Sequence, residues 1–402
     1  MRNQGHSFRF RIETIASLAL AITNRGRRFI GESRLIVPCR DLPDSDDSAL
    51  WVKVDQCCRW APCVLKHPSA REMTRNSFPF AVIDELQDCR GDELDFVKEL
   101  YKCVPVVAAG DEFQDICGDG QSAPAMSWAS GCFEVRDLGE RSKRTDNHRI
   151  LNTASALRGN ASAPQPRVEA IIVPTDALAG TAIAMKVKSG WRGSAALVAY
   201  SPKQPFYRKT LQFLRTGNKS GKVGPLPFTF IEGESTSLDR LEVDVRKAMS
   251  GTSCGVDQPL PVGLPHEVVA DWDTCKLRAR RRGRNQWTQT DLLNESSRQA
   301  HIRRSFGSPL SGRIALSVHS AKNQEWSNVF VLWAQEMFGG KSNEEYRKRI
   351  LYNAITRAGR NCCVIVRGRS RNEVLAQNPL FRELELREWN PPRKNFGDIE
   401  LV

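Results

Sequence analysis

No stretch of the 402-residue chain stays apolar for the length of a membrane span. That argues against a membrane-spanning helix. The nearest approach, Ile12 to Ile22 behind Arg9 and Arg11, is short and interrupted by Glu13 and Thr14, so it reads as an amphipathic helix rather than a secretory signal. The 12 cysteines include no CxxC pair. Cys57, Cys58 and Cys63, with Cys39 or Cys89, have a spacing that fits no ordinary zinc or iron–sulfur site, and the expectation is reduced, buried thiols in a cytoplasmic protein. Long repeats and low-complexity segments are also missing. Acid is the scarce charge: 46 Asp and Glu stand against 59 Lys and Arg, giving a net charge of +13 and a pI near 9.3. A polyanionic partner follows, with nucleic acid first and an anionic membrane surface second. A hydrophobic content of 40% is that of a globular protein with ample cores, and the length allows two or three domains.

What the chain does have is two strands that end in acid. Phe80 to Ile83 is too short for a helix and reads as a buried strand delivering Asp84 and Glu85. At the tip of such a strand, Asp84 can hold Mg²⁺ through a carboxylate oxygen while Glu85 orients or deprotonates a water. A bare Asp-Glu pair also reads as an exposed acidic turn. Its neighbours decide between the two. Gly91 to Cys103 patterns as a helix with Leu94, Val97, Leu100 and Tyr101 inward, and Val104 to Ala109 is a second strand ending in Gly110-Asp111-Glu112-Phe113-Gln114-Asp115. Asp-Glu-x-Gln-Asp thus occurs at 84 and again at 111. Two parallel strands joined by one helix set both tips on one sheet edge.

Around these tips, residues 8 to 25 read as a helix started at Thr14, residues 38 to 76 as an irregular subdomain, and Gly118 to Ser130 as a loop with Trp128 available for stacking. A second α/β unit has a helix at Ile150 to Arg158 and strands at Ala170 to Val173 and Ala195 to Tyr200. Residues 202 to 310, rich in Pro, Gly and Ser, break that rhythm. They hold six Lys and Arg between Lys276 and Arg284, which read either as a solvated basic helix ended by Gly283 or as a phosphate-contacting strip. Strands return at Ile314 to Val318, Val329 to Leu332 and Cys362 to Val366, with a helix at Tyr346 to Thr356 that delivers Arg357.

In order, these pieces resemble the motif series of the UvrD/Rep-like superfamily 1 helicases. Ile83-Asp84-Glu85-Leu86-Gln87-Asp88 is similar to their Walker B motif, and Gly110-Asp111-Glu112-Phe113-Gln114 to their γ-phosphate sensor. Lys143-Arg144-Thr145 is similar to the arginine motif that opens the second motor domain. Leu316 to Trp326 resembles T-x-H-S-A-K-G-x-E-W, and Leu351 to Ala358 resembles L-Y-V-A-x-T-R-A. The resemblance implies an α/β fold of two RecA-like parallel-sheet domains, the first incomplete, with a small basic insertion in the second. The expected boundaries are 1–137 for the first domain, 138–201 with 311–388 for the second, 202–310 for the insertion and 389–402 for a tail. It further implies ATP and Mg²⁺ as cofactors and single-stranded or tailed DNA as partner. By the same resemblance, Asp84 binds the metal, Glu85 activates water, and Gln114, Arg144 and Arg357 meet the γ-phosphate. Glu325, Asp111 and Arg149 would serve the nucleotide, with Arg149 also a rival for the role given to Arg144. Thr14, Trp128, His319 and Lys322 would touch DNA.

The departures shape the functional expectation. Nothing upstream of Asp84 reads G-x-x-x-x-G-K-[ST]; the near-miss at Gly217 to Val223 reads as a loop. Asn323 stands where the family has Gly, and Ser142 where it has Asn. The expectation is either an N-terminal truncation of a longer protein or a first sheet with an exposed edge at Phe80 to Ile83. ATP turnover is expected to be weak or absent in this chain. Two further readings are a non-hydrolysing single-strand-binding remnant and, more distantly, a Mg²⁺-dependent nuclease using Asp84, Glu85 and Asp111.

Overall fold

The computed structural model describes residues 11–39, 49–53, 56–116, 124–138, 145–160, 165–217, 223–230, 247, 254–255, 276, 280, 286–287, 312–334 and 343–389. These fall into two compact units, the first drawn from 11–112 and 124–135, the second from 113–116, 136–289 and 312–389. No helix among them is long and apolar enough to cross a membrane.

The first unit opens with α1 (Ile15–Gly26), whose N-cap is Thr14: its hydroxyl accepts from Ser17 N at 3.2 Å, satisfying an amide that has no partner inside the helix. The helix buries Ala19 and Ile22. The described part of the stretch read as irregular holds regular elements. It holds a parallel pair, β1 (Leu35–Cys39) and β2 (Ala49–Lys53), then α2 (Ala61–Leu65) and α3 (Pro68–Ser77). Both helices carry Pro in their first turn, where its missing N–H costs nothing. Asn24 ties α1 to β1 by exchanging two hydrogen bonds with the Ile36 backbone, each 2.8 Å.

β3 (Ala81–Ile83), α4 (Gly91–Tyr101) and β4 (Val106–Ala108) form the strand–helix–strand unit that the patterning predicts, with β3 and β4 parallel and Ala81 opposite Val106. Among the described residues this sheet has two strands. Tyr101, expected inward, is exposed, and its hydroxyl donates to Cys132 O at 2.9 Å. The segment read as a loop to Ser130 is α5 (Pro124–Cys132) from Pro124 onward. Small residues there allow close packing of Ala125 and Ala129, a helical signal that the Gly, Ser and Pro content of the flanking sequence obscures.

The second unit is a seven-stranded parallel sheet. Its strands are β5 (Glu169–Val173), β6 (Ala195–Ala199), β7 (Thr229–Phe230), β10 (Arg313–Ser317), β11 (Trp326–Trp333), β12 (Ala358–Arg367) and β13 (Glu385–Glu388); their order is β13-β5-β12-β11-β6-β10-β7. Among the described residues between β7 and β10 is a small antiparallel pair, β8 (Cys254–Gly255) with β9 (Gln286–Trp287). The helices are α6 (His148–Leu157), α7 (Asp176–Lys188), α8 (Pro205–Thr216), the short α9 (Val318–Ala321), α10 (Glu344–Ile355) and α11 (Arg371–Gln377). Near-continuous apolar strands such as Ala195-Ala-Leu-Val-Ala199 belong in a sheet covered on both faces, and all five of these residues are buried.

Three differences from the sequence reading stand out. The α/β rhythm does not stop at 201: α8 packs on α7, and β7 joins the sheet beside β10, because the turn-forming residues that mask them lie between them. β12, read as the closing strand, is interior, and the edge strand is β13, whose Glu385-Leu-Arg-Glu388 is too polar and short to declare itself. Gly217, first residue of the phosphate-loop near-miss, caps α8 with φ of 72°, and a Cβ there would meet Val223 O at 2.5 Å. Arg144, most of the basic run from 276 to 284, the rest of the near-miss and the tail after Trp389 lie outside the described residues.

Candidate functional site

In the first unit, ladder bonds continue past the strand ends: Ala109 N donates to Ile83 O at 2.8 Å and Leu86 N to Ala109 O at 2.9 Å. The two acidic tips therefore run side by side. Asp84 is exposed, with Oδ1 accepting from Glu85 N at 2.9 Å. Glu85 takes a left-handed backbone, φ 55° and ψ 42°, which a non-glycine residue adopts only when its surroundings hold it there. Those surroundings are Gln87. Fully buried at 0% exposure, Gln87 donates its amide to the Glu85 carboxylate and accepts from Asp111 N at 2.9 Å. Donor and acceptor ends each meet their complement, so one side chain fixes both tips. Gly110 makes room for it: a Cβ there would sit 2.7 Å from Met126 Sδ and 3.2 Å from Gln87 Oε1. The sequence reading passed over Gln87, although the repeated Asp-Glu-x-Gln-Asp carried the signal.

Two residues assigned to DNA in this unit have structural partners. Thr14 caps α1. Trp128 is half-buried on α5, edge-on to Tyr101 at 5.7 Å and to Phe133 at 5.3 Å. The cysteines here are mostly interior: Cys57, Cys58, Cys89 and Cys103 are buried and Cys63 is exposed. Burial pushes the Cys58 and Cys89 thiols up to about 12, which keeps them protonated and unreactive. Among the described residues, no group of three or more His, Cys, Asp or Glu is placed to hold a metal ion.

In the second unit, the starts of β11 and β12 meet where Trp326 N donates to Arg357 O at 3.0 Å, which sets Glu325, exposed, beside Arg357. The Arg357 guanidinium is buried, at 1% exposure, donating through Nε to Asn353 O at 3.1 Å and through Nη2 to Gln114 Oε1 at 3.3 Å. Gln114 and Arg357, given a common task by the sequence, are therefore in contact. The short segment 113–116 is fastened along α10. Phe113 stands edge-on to Tyr352 at 5.0 Å, with the Arg158 guanidinium 5.3 Å and that of Arg349 5.9 Å from its ring. Ile116 O accepts from Tyr346 Oη and from His319 Nε2, both at 3.3 Å, which makes Nε2 the protonated nitrogen.

The Thr145 hydroxyl donates to Gly359 O at 2.8 Å, and the Asn147 amide donates to Arg360 O. Thr145 and Asn147 are thereby pinned to the first residues of strand β12. Arg149 is committed elsewhere, to an ion pair with Glu385 at 3.1 Å. Lys322 is half-buried just after α9, and the next residue, Asn323, has φ of 61°. The backbone there is left-handed, which asparagine tolerates better than most residues.

Residues 314–365 match the UvrD-like helicase C-terminal domain. This stretch has a UvrD-like helicase relationship. The matched span runs from β10 through most of β12 and contains His319, Lys322, Glu325 and Arg357. No curated protein matches the chain. The strands of the UvrD-like span, β10, β11 and most of β12, are interior strands of the seven-stranded sheet.

Proposed function

We propose that this chain is the nucleic-acid-binding motor portion of a UvrD-like helicase, with a first RecA-like domain in the first unit and a second built on the seven-stranded sheet, its inserted basic subdomain following β7. The observation that carries the reading is the Gln114–Arg357 contact: two residues from motifs 243 positions apart, one inside the UvrD-like span, meet by hydrogen bond. Such a buried guanidinium is positioned to exchange a neutral amide for a phosphate oxygen. The acid tip suits the other half of the chemistry. Asp84 offers an exposed carboxylate, and Mg²⁺ in nucleotide sites needs only one or two, taking its remaining ligands from phosphates and water. Bound ATP would supply the anhydride whose hydrolysis drives such motors. Glu85, held in place by Gln87, would accept the proton of the attacking water, while Glu325 would face the sugar and His319 and Lys322 the nucleic-acid backbone.

The 402 residues contain no G-x-x-x-x-G-K-[ST] stretch, and this favours weak or absent ATP turnover by the chain alone. Strand-stimulated ATP hydrolysis that disappears in Glu85→Gln would establish a working motor and contradict the weak-turnover expectation. The second reading is a single-strand-binding protein that does not hydrolyse ATP. Affinity for a single-stranded oligonucleotide that is steep in salt and indifferent to ATP would select it.

A further inference from the structure

At the edge of the seven-stranded sheet, α8 and β7 frame a recess of about 590 Å³, within the range of sites that enclose small organic ligands. Its floor is apolar: Tyr207 and Leu211 are buried, and the Phe230 ring lies 6.3 Å from that of Tyr207. Its rim is cationic and polar. Arg208, Gln212 and Arg215, at helical spacings of four and three, share one exposed face of α8. Within the recess, Tyr207 is 1% exposed and its hydroxyl has no hydrogen-bond partner among the described residues. Buried hydroxyls are nearly always satisfied, so this one, on a side chain that lines the recess but itself closed to water, is left for a partner that the described residues do not supply. Burial pushes the phenol's pKa up, so it stays a donor, and the nearby Arg215 charge is felt there.

We propose that this recess is a nucleotide-binding well. The base lies against Phe230 and bonds the Tyr207 hydroxyl through an acceptor on its edge, and the phosphates lie across Arg208 and Arg215. The well does not depend on the motor reading. It uses none of the residues assigned to ATP chemistry, and β6 and β10 separate β7 from β11 in the sheet. The nucleotide is either free or one unit of a single strand, and the same chemistry recognises both.

The test uses the full chain with two fluorescent probes, a labelled adenosine diphosphate and a labelled oligothymidylate. Each is titrated against the wild type, Tyr207→Phe and the double variant Arg208→Ala/Arg215→Ala. All three are also measured with Asp84→Asn/Glu85→Gln added, so that any binding at the acid tip is removed. The double arginine change is expected to weaken at least one probe about tenfold or more, as loss of charged hydrogen bonds does. Tyr207→Phe is expected to weaken the same probe severalfold, with an unfolding midpoint equal to or above the wild type because the lost hydroxyl had no partner among the described residues. These losses persist in the Asp84→Asn/Glu85→Gln background. Loss confined to the diphosphate assigns the well to free nucleotide, and loss confined to the oligonucleotide assigns it to a strand. The proposal is overturned if neither probe responds to the arginine change, if Tyr207→Phe binds both as the wild type does, or if all binding vanishes with Asp84 and Glu85 replaced. Failure of the motor reading would leave the well's binding in place.

Discussion

β3 and β4 of the first unit turn Val82 and Val107 outward, 67% and 62% exposed and opposite one another in register, whereas β6 of the second unit buries every one of its five residues. The strands are equally apolar; the number of neighbours differs. A central strand of seven, with helices on both faces, is held by burial, and the groups at its ends inherit that rigidity. Two described strands with one face open have less depth to draw on. The first unit compensates at its tips with specific polar ties, Gln87 above all, together with a glycine that lets that side chain through.

The comparison is sharpened most by a deep deletion in the larger sheet. Phe330 is fully buried and stacks on Trp191 at 4.9 Å, so Phe330→Ala is expected to cost about 3–5 kcal/mol, read as a lower urea midpoint. Next comes Gln87→Ala, which strands the Asp111 amide and releases Glu85; a cost of about 1–3 kcal/mol is expected. Faster hydrogen exchange at Asp111 with unchanged exchange in β6 would locate the effect at the tip. A loss spread evenly over both units would break the comparison.

A smaller effect concerns pH. Burial, and then the Asp88 charge, raise the Glu93 pKa above its ordinary value. A carboxyl raised in the folded state binds its proton more tightly there than in the unfolded chain. Its contribution is therefore most favourable below the ordinary carboxylate range and is lost as pH rises through the folded pKa. Glu93→Gln should raise the neutral-pH midpoint of the first unit and flatten that part of its pH profile; an unchanged profile would contradict the assignment. Smallest of all, Val82→Thr with Val107→Thr should shift stability by about 0.5 kcal/mol or less, since both side chains already face water. It should also slow aggregation measured by light scattering, because it removes an apolar face beside strand edges that have no partner among the described residues.

How much of this was legible in the sequence follows the same divide. The strand–helix–strand unit around Asp84, the N-cap at Thr14 and the strands and helix around Arg357 were readable, because each has a clean period or a capping residue. β13 and β7 were not, because short edge strands have no apolar run, and α5 was hidden by its small residues. In the candidate site, the pairing of Gln114 with Arg357 came from motif order. Gln87 was missed because a buried glutamine has no periodic signature, and the Arg149–Glu385 ion pair because its partners are 236 residues apart.

The account's central claim, that this basic chain with its UvrD-like span grips a nucleic-acid backbone, is met most directly by titrating a labelled single-stranded oligonucleotide across a series of salt concentrations. The account predicts tight binding at low salt, with the logarithm of the affinity falling linearly and steeply with the logarithm of salt, as several released counterions require. No binding at low salt, or an affinity flat across the series, would contradict it.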